Sequence, residues 1–304
     1  MALSLGVSAW CFHAALYAGR LTLPDIPARV AALGFDLGGG AEYGASVELN
    51  DLFYPPPRLS RLRYLPWRLQ GRLTGRDVWP AFQRSWVGSA STRRRLRQAC
   101  EQASVHCIAF TLNSDFSGQP RQQRAALAYV AAGLATTRAL GAPILRVTSD
   151  RREKSDDLAS PGVMERVIAG LRAAVKLAQA ADIRLALENH WGLTTEPAAM
   201  LRLVQEVNSP WLGVCLDLGN FPPAQRLAGV ELLAPYAIHA HAKAGQFTAS
   251  GEEANIDYPT ELAILKQAGY CGPLVIEYEG EGDPAVGIQR TRDLVMRHWP
   301  PAPA

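Results

Sequence analysis

Cysteine is scarce and scattered in this 304-residue chain. Cys11, Cys100, Cys107, Cys215 and Cys271 are odd in number, and no two form a CxxC pair. This spacing argues against a disulfide framework or a zinc ribbon and fits a reducing compartment, so a cytoplasmic location is expected. An excess of one charge is also missing. Lys and Arg number 31 against 28 Asp and Glu, a net charge of +3, too small by itself to imply a nucleic-acid partner. No apolar run of about 18 residues escapes interruption by a charge or a turn residue, so no membrane span is expected. The apolar start MALSLGVSAWCFHAAL has no basic leader and is broken by His13; it reads as a first strand rather than a signal peptide. No GxGxxG follows any strand-like run, and Leu37-Gly38-Gly39-Gly40 does not fit that motif, which weighs against a two-domain dinucleotide-binding enzyme. With 48% hydrophobic and 19% charged residues, disorder, collagen and coiled coil are excluded.

What is present is alternation. Apolar runs suited to buried parallel strands are Leu3–Ala9, Val105–Leu112, Pro143–Thr148, Ile183–Glu188, Leu212–Asp217, Ile238–Ala242 and Leu274–Tyr278, with a weaker one ending at Val47–Leu49. Helical patterns lie between them: Leu23–Leu33, Thr92–Ala103, Gln122–Leu140, Gly162–Ala181, Pro197–Val207, Gly229–Ala234, Pro259–Ala268 and Pro284–His298. Asp283-Pro284 has the chemistry of an N-cap followed by proline in the first turn, and Thr195-Glu196-Pro197 and Ser160-Pro161 resemble it. Gly141 and Gly269 follow helices where a left-handed residue is favoured. Eight strands alternating with eight helices is the pattern of an α/β fold, a single-domain (β/α)₈ TIM barrel over residues 1–304. Residues from about 54 to 90 break the pattern with Pro55-Pro56-Pro57 and many arginines. Between Arg58 and Arg97 there are eleven arginines and one acid, Asp77. This stretch reads as an Arg/Pro-rich insertion after strand two, either a solvated surface or a lid at the barrel mouth.

In such a barrel, chemistry sits at the C-terminal ends of the strands. Four consecutive strands end in polar groups: Glu188 in LALENH, Asp217 in GVCLDLGN, His239 and His241 on one face of IHAHAK, and Glu277 in LVIEYEG. Each lies on a strand expected to be buried on both sides, so each needs a partner. One divalent ion satisfies them together. Three carboxylates and an imidazole favour Mn²⁺ first, with Mg²⁺, Co²⁺ or Zn²⁺ as alternatives.

The set LENHWGLTT, CLDLGNF, HAHAK and VIEYEG resembles the xylose-isomerase-like TIM-barrel superfamily, and within it the sugar phosphate isomerase/epimerase group. Leu5-Gly6-Val7-Ser8, Val47-Glu48-Leu49-Asn50 and Leu140-Gly141-Ala142-Pro143 are similar to that group as well. The likeness spans the chain except roughly residues 54–86. It implies a metal held by Glu188, Asp217, His241 and Glu277. It also implies catalytic proton transfer by Glu188 and Glu277 next to a carbonyl, with an enediolate stabilised by the ion. Asn220 stands where such epimerases often carry histidine, and His190 follows Glu188 instead. Lys243, in HAHAK, is more like the dehydratase branch and is a third catalytic candidate. It is suited to binding a substrate oxygen, stabilising an oxyanion or acting as an acid or base.

Candidate substrate contacts are His190, Arg146, Glu48, Asn113, Trp10 and His13, all at or after strand ends; His239, deeper in its strand, reads as a packed, hydrogen-bonded residue. The loop Glu279-Gly280-Glu281-Gly282-Asp283 carries three carboxylates where phosphate-binding barrels place backbone amides, which points to an unphosphorylated carbohydrate. The expected activity is a metal-dependent sugar isomerase or epimerase. The alternative is a dehydratase or lyase on a keto-sugar, keto-glycoside or inosose. Apurinic-site endonucleases share the barrel but use several zinc ions and many histidines, and this chain has six; an inactive binding barrel is disfavoured by four intact strand-end ligands. The expected partner is a small carbohydrate, with neither nucleic acid nor membrane. The helices show no clear dimer stripe, although enzymes of this group often associate, so a homo-oligomer is left open.

Overall fold

A computed structural model of the chain describes residues 4–34, 45–53, 65–66, 69–70, 79–150 and 162–299. Eight parallel strands form a closed barrel in sequence order: β1 Ser4–Ser8, β2 Ser46–Asn50, β3 His106–Leu112, β4 Ile144–Val147, β5 Arg184–Glu188, β6 Leu212–Asp217, β7 Ala237–Ala244 and β8 Pro273–Tyr278. All eight expected strands are present, including the weak second one. Each is short, apolar and almost wholly buried, because a barrel strand faces the lumen on one side and a helix on the other.

Among the described residues ten α-helices are delimited: α1 His13–Tyr17, α2 Ile26–Ala32, α3 Trp79–Val87, α4 Ala90–Ala103, α5 Pro120–Ala139, α6 Val163–Ala181, α7 Pro197–Val207, α8 Arg226–Leu233, α9 Tyr258–Gln267 and α10 Pro284–His298. The stretch expected as one helix over Leu23–Leu33 opens with a 3₁₀ turn at Leu23–Asp25 before α2 begins. The Asp283 carboxylate accepts from the Ala285 amide and Pro284 sits in the first turn, as its sequence implied. Gly141 and Gly269 take φ values of +71° and +74° after their helices. The Ser160-Pro161 pair lies outside the described residues.

Most of the stretch 54–90 also lies outside them. Its last part forms α3, where Phe82 and Val87 are buried. The Val87 carbonyl accepts from Thr136 Oγ1 of α5 at 2.6 Å, so this end of the insertion packs on the barrel's outer helical layer. Among the described residues no helix is long and apolar enough to cross a membrane, and all five cysteines are free.

Two apolar regions fill the molecule. The larger lies between strands and helices. The smaller fills the lumen with Ala109, Ile144, Ala186 and Cys215, closed by Ile238. These small side chains, low in the cylinder, form a floor. The polar residues of the strand ends stand above it.

Candidate metal centre and active site

Strand pairing places the four expected ligands around one sector of the rim. Asp217 of β6 is in register with His241 of β7, and Lys243 of β7 with Glu277 of β8. Glu188 ends β5, one strand further round. One donor atom from each of Glu188, Asp217, His241 and Glu277 lies within 4.8 Å of all the others. His241 Nδ1 is the hub, 2.8 Å from Glu188 Oε1, 3.6 Å from Asp217 Oδ2 and 3.7 Å from Glu277 Oε2.

Relative exposures are 0% for Glu188 and Asp217, 1% for His241 and 7% for Glu277. Three carboxylates shielded from water at this spacing repel one another unless positive charge is shared among them. Their hydrogen bonding is also incomplete. Glu188 Oε1, Asp217 Oδ2 and His241 Nδ1 are buried without a hydrogen-bond partner, while Glu188 Oε2 is taken up by Arg146. The other Asp217 oxygen is already occupied, accepting from the Gly219 amide at 2.8 Å. The unsatisfied atoms of three residues thus face one point, and a mostly oxygen donor set with one imidazole fits a moderately hard divalent cation.

Cationic side chains flank this point. Lys243 Nζ is 3.5 Å from Asp217, 3.2 Å from Glu277 and 3.1 Å from Glu279. Burial pulls the Lys243 ammonium down, but these three carboxylates outweigh it and hold the pKa well above the ordinary lysine value. The Arg146 guanidinium contacts Glu188 Oε2 and donates to Asn113 Oδ1 at 3.4 Å; Asn113 Nδ2 in turn donates to Asp51 at 2.7 Å. Burial raises the Glu277 carboxyl despite Lys243 and His241. Burial also acts on Asp217, but Lys243 and His241 prevail and lower it to about 2. Burial, then the charges of Arg146 and Lys243, hold His190 well below the usual imidazole range, so it is neutral at pH 7.

The six residues expected to meet substrate divide into two sets. Trp10, His13 and His190 line the mouth and are half-buried. His13 stacks on Trp10 with centroids 5.2 Å apart, and Phe53 lies 5.5 Å from Trp10 on another side. His190 sits 4.3 Å from Trp191. Arg146, Asn113 and Glu48, by contrast, are engaged by protein groups. For Glu48 the expectation of a sugar contact shifts: it is 1% exposed, and its carboxylate accepts from Thr111 Oγ1 at 2.9 Å and faces His239 and His241. It lies beneath the ligands. His239 is buried and bonded, as its depth in β7 implied.

Two participants are not among the expected site residues. Asn189 clamps β5 to β6, its Oδ1 accepting from the Asp217 amide at 2.7 Å and its Nδ2 donating to the Asp217 carbonyl at 2.8 Å. Glu279 is more than one of three loop acids: it accepts from Trp10 Nε1 at 2.6 Å and pairs with Lys243. A tryptophan and an acid at neighbouring strand ends were the only available hint.

Known proteins offer the comparison at this point. Residues 75–298 match a family model described as xylose isomerase-like TIM barrel. The chain is similar to L-ribulose-5-phosphate 3-epimerase UlaE of Escherichia coli K12, 32% identical over 135 residues that cover 41% of this chain and 48% of that protein. It therefore spans about half the length of the curated relatives it matches. Among solved structures it resembles a D-tagatose 3-epimerase-like protein, with a TM-score of 0.67 and 16% identity over 97% of this chain and 99% of that one. It also resembles 3-keto-D-glucoside 4-epimerase YcjR of E. coli, with a TM-score of 0.62 and 14% identity over 98% and 99% of the two chains. At such identities the structural likeness speaks for the fold. Closed eight-stranded topology, polar groups on the last four strand ends and a family match across three quarters of the sequence agree: the chain belongs to the xylose isomerase-like TIM-barrel family.

Proposed function

We propose that this protein is a divalent-metal-dependent isomerase or epimerase of an unphosphorylated sugar or sugar derivative. The observation that supports it most is the convergence of buried, unsatisfied donor atoms from Glu188, Asp217 and His241 on a point shared with Glu277. These four would hold the ion, with Mn²⁺ favoured by the oxygen-rich set. When bound, it would supply the positive charge that offsets an enediolate.

The chain's own groups fit the remaining work. Glu188 and Glu277 stand on β5 and β8 with the other two ligands between them, so they flank whatever lies over the centre. One takes the proton next to the substrate carbonyl, and the other delivers a proton to the opposite face or the adjacent carbon. Lys243, held protonated, serves as a hydrogen-bond donor to a substrate oxygen. The Trp10–His13 stack offers an apolar face for a sugar ring. Two buried donors with no partner, Trp191 Nε1 and Asn220 Nδ2, follow β5 and β6 and suit a substrate rich in hydroxyls.

The curated relatives are named for a phosphorylated pentulose. Glu279, at the mouth beside Lys243 and Trp10, together with Glu281 and Asp283 in the same loop, opposes a phosphate dianion. A second reading, β-elimination from a keto-sugar, keto-glycoside or inosose, is favoured by one observation. An ammonium fixed beside Glu277 is placed to protonate a departing hydroxyl or alkoxide.

NMR in D₂O with a panel of free and phosphorylated ketoses, keto-glycosides and inosose tests these readings. Deuterium uptake at a carbon next to the carbonyl without mass loss supports epimerisation or isomerisation. A product lighter by one water, or a released aglycone, replaces it with elimination. Faster turnover of phosphorylated sugars than of their free counterparts rejects the substrate class. If neither Mn²⁺ nor any of the other three cations binds, the metal reading fails.

A further inference from the structure

We propose that Glu48 is a positioning residue: through the Nε2 of His241 it fixes the orientation of the imidazole, so that Nδ1 is the nitrogen presented to the cation. This inference rests on the metal reading above and concerns a side chain from β2, on the far side of the lumen from β7.

The geometry is specific. Glu48 Oε2 lies 3.2 Å from His241 Nε2 and 2.6 Å from His239 Nε2. Its other oxygen accepts from Thr111 Oγ1 of β3 at 2.9 Å. An ionised carboxylate only accepts hydrogen bonds, so the nitrogen of each ring that faces it must carry hydrogen. The opposite edge of the His241 ring points Nδ1 at Glu188, Asp217 and Glu277. One ring is thus tethered from below by Nε2 and directed upward by Nδ1. His239 and Thr111 hold the tether itself in place.

The strands are shaped to this contact. Regular pairing of β2 with β3 breaks between Val47 and Glu48, and that of β6 with β7 breaks between Val214 and Cys215. Such irregularities re-aim side chains, and both fall at the level where Glu48 meets the two histidines. Carboxylates bonded to the outer nitrogen of metal-bound histidines fix their orientation and raise their basicity.

A competing use of the same atoms exists. Cys215 Sγ is 3.6 Å from His241 Nε2, and Cys215, His239 and His241 offer donors within 4.8 Å of one another. A cation there would take Nε2 away from Glu48. The carboxylate's closer approach to His241 Nε2, 3.2 Å against 3.6 Å, favours the brace.

The test uses the full chain, with Glu48→Gln, Glu48→Leu, His241→Ala and Cys215→Ser variants. Mn²⁺ affinity is measured by titration, and the His241 ring state by ¹⁵N–¹H correlation of the Zn²⁺-loaded protein. Expected results are a protonated Nε2 and a metal-bound Nδ1 in the unaltered protein. Mn²⁺ binding should weaken about tenfold in Glu48→Gln, which keeps size and one acceptor, and up to about 100-fold in Glu48→Leu. Unchanged affinity and ring state in both Glu48 variants, with binding lost in His241→Ala, overturn the brace and leave the metal reading intact. No Mn²⁺ binding to the unaltered protein overturns the metal reading instead. Two equivalents of Co²⁺, with a thiolate-to-cobalt absorption band lost in Cys215→Ser, overturn the brace in favour of a lower metal site.

Discussion

Glu188 and Glu277 share the proposed ligand set but not a setting. Glu188 is fully buried against Arg146, whereas Glu277 is slightly open, accepts weakly from Ser8 Oγ at 3.4 Å and faces Lys243. Replacing either by glutamine is nearly isosteric and removes the proton-accepting oxygen. Glu188→Gln and Glu277→Gln are each expected to abolish exchange of the substrate proton with solvent while circular dichroism stays that of a folded barrel. Deuterium incorporation retained in both variants contradicts the acid/base role proposed for them. A different residue adds pH sensitivity to the fold. Glu261 of α9 is buried, and neither of its oxygens has a hydrogen-bond partner. Burial, opposed by Arg226, raises its pKa from 4.5 to about 8. Between those values the folded chain keeps a proton that the unfolded chain has released, so stability falls as pH rises through this window. Glu261→Gln should flatten the decline, with a gain on the order of 1–3 kcal/mol at pH 8 and little change at pH 5 in denaturant melts. At this scale the sequence was readable wherever a polar group ended an apolar strand, as at Glu188, Asp217 and Glu277. It marked Glu48 as a substrate contact but not as a partner of His239 and His241, bonds that span 191 and 193 positions, because no local pattern records a contact across a lumen.

Elements were legible to the degree that their own residues determine them. The seven strong apolar runs became strands because a strand buried on both faces must be apolar throughout. The Asp283 cap followed from local chemistry, and Asp283→Ala should cost about 1 kcal/mol, measured by thermal melting with substrate and metal absent. Elements set by their neighbours were missed. The five-residue helix α1 is too short for a periodic signal. It sits where Trp10 stacks on His13. Helix α3 lies in a stretch whose arginines and prolines conceal it; Phe82 and Val87 gain their place only once α5 is present to receive them. The broken start of α2 at Leu23–Asp25 has a similar origin, since Asp25 turns back to bond the Thr22 amide and hydroxyl.

The whole molecule divides its labour around the ring. The last four strands carry the proposed donors, and the first four carry the groups that contact them: Ser8, Glu48 with Thr111, and Arg146. Bound metal should therefore stabilise the entire fold. At a free Mn²⁺ concentration 100 times its dissociation constant the gain is about 2.7 kcal/mol, and a chelator should remove it. Differential scanning calorimetry with and without EDTA checks this, and coincident melts at saturating Mn²⁺ refute it. Where β1 meets β8, Ser8 reaches Glu277, Trp10 reaches Glu279, and Cys11 bridges the Ile276 carbonyl and the Tyr278 amide. A polypeptide still emerging from the ribosome cannot assemble these contacts until its eighth stave has docked against its first. The rim of the barrel is thereby completed only when its eighth strand has closed the ring.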